Sequence, residues 1–85
     1  MKLSVVGLGK LGACSAACFA SSGFDVIGVD INKFSVDAVN KGKMPVYEPK
    51  LQELIDLSKD RLKATQDYDD AIKESDITFL MSYVG

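Results

Sequence analysis

The sequence predicts an α/β chain, a parallel sheet with helices packed on its faces. Three observations carry this prediction. Short apolar runs alternate with segments of helical character, the order that a parallel sheet with crossover helices requires. The first and last of these runs are nearly continuous in apolar residues, as in strands buried on both faces. Between the first run and the first helical segment stands a glycine-rich turn, Gly7-Leu8-Gly9-Lys10-Leu11-Gly12.

Taken in order, Leu3-Ser4-Val5-Val6 is the first strand and ends at Gly7. Leu11 to about Ser22 is rich in alanine and other small residues and reads as a helix, which Gly23 stops as a C-terminal cap. Asp25 to Asp30 is the second strand, ending on an acid. A short helix follows from Lys33 to Asn40, and Lys41-Gly42-Lys43 closes it. Met44 to Pro49 holds both prolines of the chain and is therefore irregular or extended. Leu51, Leu54, Ile55 and Leu57 recur at roughly helical spacing, which predicts an amphipathic helix from Lys50 to about Lys59. Arg61 to Thr65 is a short strand. Asp67 to Glu74 is a helix with acids at its start, where the macrodipole favours them. Asp76 to Val84 reads as a buried strand around Ile77, Phe79, Leu80 and Met81. The expected order in space is third, second, first, fourth strand, the first half of a doubly wound, Rossmann-type domain.

Composition bounds the function. The 85 residues suit about one βαβαβ half, so residues 1–85 are expected to be an incomplete domain. A net charge of −2 gives no basic field for nucleic acid or an anionic membrane. No apolar run approaches the ~20 residues of a membrane span, and the short stretch after Lys2 is no signal peptide. Cys14 and Cys18, four residues apart, fit neither a disulfide framework nor a zinc site, and histidine is absent. The expectation is a reduced, cytoplasmic protein without a metal site. Both cysteines are read as small packing residues against the sheet.

The glycine turn is a G-x-G-x-x-G, a weak signal alone but here flanked by a strand and a helix, with Asp30 closing the next strand. The expected cofactor is a dinucleotide. Gly7 permits the tight turn, Gly9 lets the backbone approach a pyrophosphate, and Gly12 lets the helix pack closely. The free N–H groups at the helix start face the phosphates, and Leu8, Lys10 and Leu11 of the turn are candidates for cofactor binding beside the glycines. Asp30 accepts hydrogen bonds from the adenosine ribose and repels a 2′-phosphate, which selects NAD over NADP. Lys33 is the further candidate at the ribose.

The chain resembles the nucleotide-sugar 6-dehydrogenases, such as UDP-glucose and GDP-mannose dehydrogenases. The likeness rests on Val5 to Gly12, on Val26-Ile27-Gly28-Val29-Asp30-Ile31-Asn32, and above all on Gly42-Lys43-Met44-Pro45-Val46-Tyr47-Glu48-Pro49. Arg61-Leu62-Lys63-Ala64-Thr65 and Asp67-Tyr68 match at corresponding places. The resemblance implies oxidation of a sugar C6 alcohol to a carboxylate in two NAD-dependent steps, by a catalytic cysteine with lysine and aspartate helpers. Those groups lie in later parts of the family's chain and have no counterpart here, so no catalytic residue is assigned and the segment alone is expected to be inactive. The nucleotide sugar would be held by the missing domains, and the full-length enzyme would be a homo-oligomer. Three departures stand out. Ser35 occupies a place usually basic, Lys50 one usually glycine, and Ser82-Tyr83-Val84-Gly85 replaces a Gly-Thr-Pro or Pro-Thr-Pro ending. The Tyr47-Glu48-Pro49 segment is read first as a connector that orients the next helix. Two other readings compete: a 3-hydroxy acid dehydrogenase type of enzyme, and a truncated nucleotide-binding module without catalysis. An isolated chain of this size is expected to be weakly stable, to expose an unpaired edge on its fourth strand, and to self-associate.

Overall fold

The computed structural model describes residues 1–81. Strand β1 is Lys2–Val6, β2 Asp25–Val29, β3 Leu62–Thr65 and β4 Ile77–Leu80. Helix α1 is Lys10–Ser21, α2 Lys33–Asn40, α3 Leu51–Ser58 and α4 Tyr68–Glu74. All three strand pairings are parallel, and the order is β3-β2-β1-β4 as expected. The chain therefore steps outward from β1 to β3, then returns to the other side of β1. In open α/β sheets such a reversal puts the ligand crevice at the carboxyl ends of the strands on either side of it, here β1 and β4.

Central β1 is paired on both edges, which explains its run of buried residues, Leu3, Ser4 and Val5. Ser4 is a hydroxyl inside that run, and its Oγ shares a 2.7 Å hydrogen bond with Thr78 Oγ1 of β4. A polar residue in the middle of a sheet is thereby satisfied. Above the sheet, α1 buries Gly12, Ala13, Ala16, Ala17 and Ala20, all small enough to let the helix lie close. Helix α3 packs on α1, with Leu51 and Ile55 in the same core cluster. Ser58 Oγ donates to the Leu54 carbonyl at 2.7 Å and lies 3.2 Å from that of Ala17. Arg61 Nε reaches the Ala20 carbonyl at 2.7 Å, satisfying an acceptor at the C-terminal end of α1. Gly23 ends that helix with φ +107°, and the Gly23 and Phe24 N–H groups return to the Ala20 and Phe19 carbonyls.

Three expectations are corrected. The segment after α3 is a 3-10 turn over Lys59–Arg61, so β3 begins at Leu62. The last strand is shorter than expected and half-open: Ile77 is 43% exposed and Leu80 74%. An apolar run shows that a strand is suited to burial, but burial also needs neighbours, and β4 is paired on one side only. Besides its pairing with β1 and the Ser4–Thr78 bond, β4 is anchored by Phe79, whose ring stacks on Phe19 of α1 at 5.1 Å. The expected positions 82–84 of this strand lie outside the described residues. Thirdly, Cys14 packs against the core as expected, but Cys18 is exposed on the far side of α1. Among the described residues, no helix is long and apolar enough to cross a membrane.

Candidate functional site

The glycine turn joins β1 to α1 at the crevice. Gly7 sits at φ +102°, its N–H continuing the ladder to the Val29 carbonyl at 2.7 Å. A Cβ there would lie 2.8 Å from the Met81 carbonyl oxygen, so both backbone angle and space demand glycine. A Cβ on Gly12 would fall 1.7 Å from the Gly7 carbonyl oxygen. The close approach that Gly12 allows is thus to the turn itself rather than to the sheet beneath. Gly9 differs: a Cβ there would meet nothing within 4 Å among the described residues. Packing among those residues does not require glycine at that position, and they leave the space in front of it open to a ligand.

Gly9 is the N-cap of α1 and no side chain caps that end. The first intrahelical bond runs from the Ala13 N–H to the Gly9 carbonyl at 2.8 Å. The N–H groups of Lys10, Leu11 and Gly12 therefore have no acceptor within the helix and open toward the crevice, where the dipole favours an anion. The Leu11 side chain is exposed, and what it offers a ligand is its backbone. Leu8 is buried in the core.

Asp30 ends β2 beside this turn. Its Oδ2 accepts the Leu8 N–H at 2.8 Å and its Oδ1 the Asn32 N–H at 2.9 Å. An ionised carboxylate has about four acceptor positions, so each oxygen keeps one for a vicinal diol. The acid thus serves twice, fixing the turn and presenting acceptors outward. Lys33 is placed differently from the rest: its Nζ is held by Asp37 Oδ2 one turn along α2 at 2.8 Å, on an exposed face.

A sequence model of the UDP-glucose/GDP-mannose dehydrogenase family, NAD binding domain, matches residues 1–83. The chain belongs to that family. Among relatives, it is 48% identical over 81 residues to the UDP-glucose 6-dehydrogenase AglM of Haloferax volcanii, covering 94% of this chain and 19% of that protein. It is 39% identical over 82 residues to the GDP-mannose 6-dehydrogenase of Pseudomonas aeruginosa, again 94% of this chain and 19% of the relative. A crystal structure of a ternary complex of GDP-mannose dehydrogenase from Pseudomonas aeruginosa superposes with a TM-score of 0.94 at 37% identity, over all of this chain and 20% of that one. A UDP-glucose dehydrogenase from Pyrobaculum islandicum gives 0.85 at 37% identity, over 93% and 19%. The chain therefore spans about a fifth of the length of the relatives it matches.

NAD is the cofactor of this family's domain, and the residues fit it: an open face at Gly9, unpaired helix N–H groups, and an acid with spare acceptors. The family's proline-containing segment turns out to lie beside the turn. Glu48 Oε2 pairs with Lys10 Nζ at 3.3 Å, so the connector between α2 and α3 also touches the cofactor loop. Gln52 anchors this connector, accepting the Met44 N–H at 3.1 Å and donating to the Gly42 carbonyl at 2.7 Å. Lys50, where the family usually has glycine, takes φ +71°, a conformation that costs a side-chain-bearing residue roughly 1 kcal/mol. Burial pushes the Cys14 thiol up from its ordinary range, and the Glu48 carboxylate raises it further. A protonated thiol on α1 is no nucleophile. Sequence reasoning missed Gly28, which lies under the side chain of Leu8. A glycine in mid-strand was the available signal, since it marks close approach.

Proposed function

We propose that this chain is the cofactor-binding part of an NAD-dependent nucleotide-sugar 6-dehydrogenase, an enzyme that oxidises the C6 alcohol of a nucleotide-linked hexose to a carboxylate. The observation that carries this reading is Asp30 bonded to the glycine turn with acceptors to spare, in a chain of this family. Every relative named above is a nucleotide-sugar dehydrogenase, which favours this reading over a 3-hydroxy acid dehydrogenase.

When bound, NAD supplies the hydride acceptor for both oxidations. The chain's own residues bind and orient. The Lys10, Leu11 and Gly12 N–H groups donate to the diphosphate, while Gly9 leaves room for it. Gly7 and the main chain of Leu8 shape the turn, and Asp30 accepts the adenosine ribose hydroxyls and repels a 2′-phosphate. Lys33 joins the site when its ammonium leaves Asp37 for the ribose. The sugar nucleotide, the catalytic cysteine and the subunit contacts of the homo-oligomer belong to further domains, so the isolated chain binds cofactor without turnover.

Calorimetric titration of the 85-residue chain tests this. NAD binds more tightly than NADP, and Asp30→Asn weakens NAD by roughly tenfold, the worth of a charge-assisted hydrogen bond, while narrowing the preference. Equal affinity for NAD and NADP, or an Asp30→Asn variant that binds NAD like the parent, would sink the site assignment. NADH formation by the pure chain with UDP-glucose or GDP-mannose would overturn the placing of catalysis elsewhere.

A further inference from the structure

The notch at Gly28 has no role in the reading above, although it lies two residues before Asp30. Gly28 sits inside β2, opposite Val5 of β1 and Ala64 of β3. A Cβ built on it would stand 2.7 Å from Leu8 Cδ2, 3.2 Å from Cδ1 and 3.4 Å from Cγ. Leu8 is 1% exposed, so its isobutyl group is seated in this notch with no route to solvent. The same residue sends its N–H to Asp30 Oδ2 at 2.8 Å. Residues 28 and 30 share one face of the strand, about 7 Å apart. Leu8 therefore grips β2 twice, by its side chain at position 28 and by its backbone at position 30.

We propose that Leu8 and Gly28 form a knob-and-notch couple that aims the Asp30 carboxylate, which makes Gly28 a positioning residue for recognition of the cofactor ribose. The geometry explains why glycine is kept where a strand prefers a β-branched residue. A methyl group at position 28 meets a side chain that is packed on all sides. The contact falls on the end of the Leu8 side chain, but burial leaves that side chain no open space to turn into, so the strain is passed to the Leu8 main chain and to the N–H that orients Asp30. The volume argument also supplies its own rescue. Gly28→Ala adds one methyl group and Leu8→Val removes one methylene, so the pair together conserves the packed volume.

This inference rests on the reading of Asp30 as the ribose acid, and the test separates the two. Amide proton and nitrogen spectra are recorded for the parent chain, Gly28→Ala and the double variant Leu8→Val/Gly28→Ala, each with an NAD titration. In the parent the Leu8 amide proton lies downfield, because its acceptor is a carboxylate. In Gly28→Ala it moves upfield, and NAD affinity falls roughly five- to tenfold. The double variant restores both. A Gly28→Ala chain that fails to fold beside a double variant that folds and binds supports the couple equally. The proposal is overturned if Gly28→Ala keeps the parent's Leu8 shift and affinity, or if the double variant is as impaired as the single one. A parent chain that binds no NAD removes the ribose reading instead, and the Leu8 shift and its rescue then decide the couple alone.

Discussion

The two outer edges of the sheet are finished differently. Along β3, Asn40 at the end of α2 lays its side-chain amide against the strand. Nδ2 donates to the Ala64 carbonyl at 2.9 Å, and Oδ1 accepts the Ala64 N–H at 2.8 Å. One side chain thus supplies the donor and acceptor that a neighbouring strand would offer. Along β4, no described residue pairs with the outer edge, and Ile77 and Leu80 stand exposed. An edge satisfied by a side chain is a terminus, because another strand arriving there would have to displace the amide. An edge left open with apolar flanks can serve as a junction.

The largest effect is expected from breaking the closed edge. Asn40→Ala removes both hydrogen bonds to Ala64 and leaves that residue's backbone groups to water, at a cost of about 2 kcal/mol. It also turns the terminus into a second junction. Urea unfolding followed by circular dichroism should show a lower midpoint, and sedimentation velocity should show more self-association. A variant with the parent's midpoint and the parent's sedimentation profile would mean that the amide bonds contribute nothing and that the α2 packing alone protects β3.

Much of this was legible in the sequence because it is local. The strand order follows from alternation, the glycine turn from its spacing, and Asp30 from its place at the end of a strand after that turn. The contacts that distinguish the two edges are not local. Asn40 meets Ala64 across 24 residues, Leu8 meets Asp30 across 22, and Glu48 finds Lys10 only because α3 folds back over α1. No periodicity encodes such pairs. The misreading of β4 as buried has the same origin. Hydropathy reports what a strand can bury, whereas the count of its neighbours is a property of the sheet. Cys18 fails likewise, since alanines at the α1 contact face left the exposed face free to carry a small apolar residue.

A smaller effect is expected from blunting the open edge. Leu80→Lys places a charge on an exposed position of β4, a device by which edge strands resist pairing. Because Leu80 is already three-quarters exposed, stability should change by no more than about 0.5 kcal/mol. Self-association of the isolated chain should fall markedly in the same sedimentation experiment. If association persists unchanged, the β4 edge is not the sticky surface, and the contrast between the edges loses its consequence in solution.

The smallest effect is expected to differ in sign between helices α2 and α4. On the β3 side, the Asp37 carboxyl of α2 is held below the usual carboxylate range, chiefly by its hydrogen bond from Lys33. A folded-state pKa below the unfolded one gives stability that is present above about pH 4 and lost as pH falls through the lowered value. The Asp70 carboxyl of α4, the helix that packs on β1 and β2, is held above that range, first by repulsion from Asp67 and then by their hydrogen bond. A raised acid works in the other direction: it weakens the fold above its own pKa, and that penalty is relieved as pH falls toward about 4. Both groups are solvent-exposed, so the effects are small and belong to their own helices. Hydrogen exchange measured residue by residue between pH 5 and pH 3, corrected for the intrinsic rate, should therefore show α2 amides losing protection while α4 amides hold or gain it. Parallel loss in both helices would mean that relief of the repulsion does not govern α4. The Asp70→Asn variant checks this, because it removes the repulsion at neutral pH and keeps the Asp70 backbone N–H that Asp67 Oδ1 accepts at 3.1 Å.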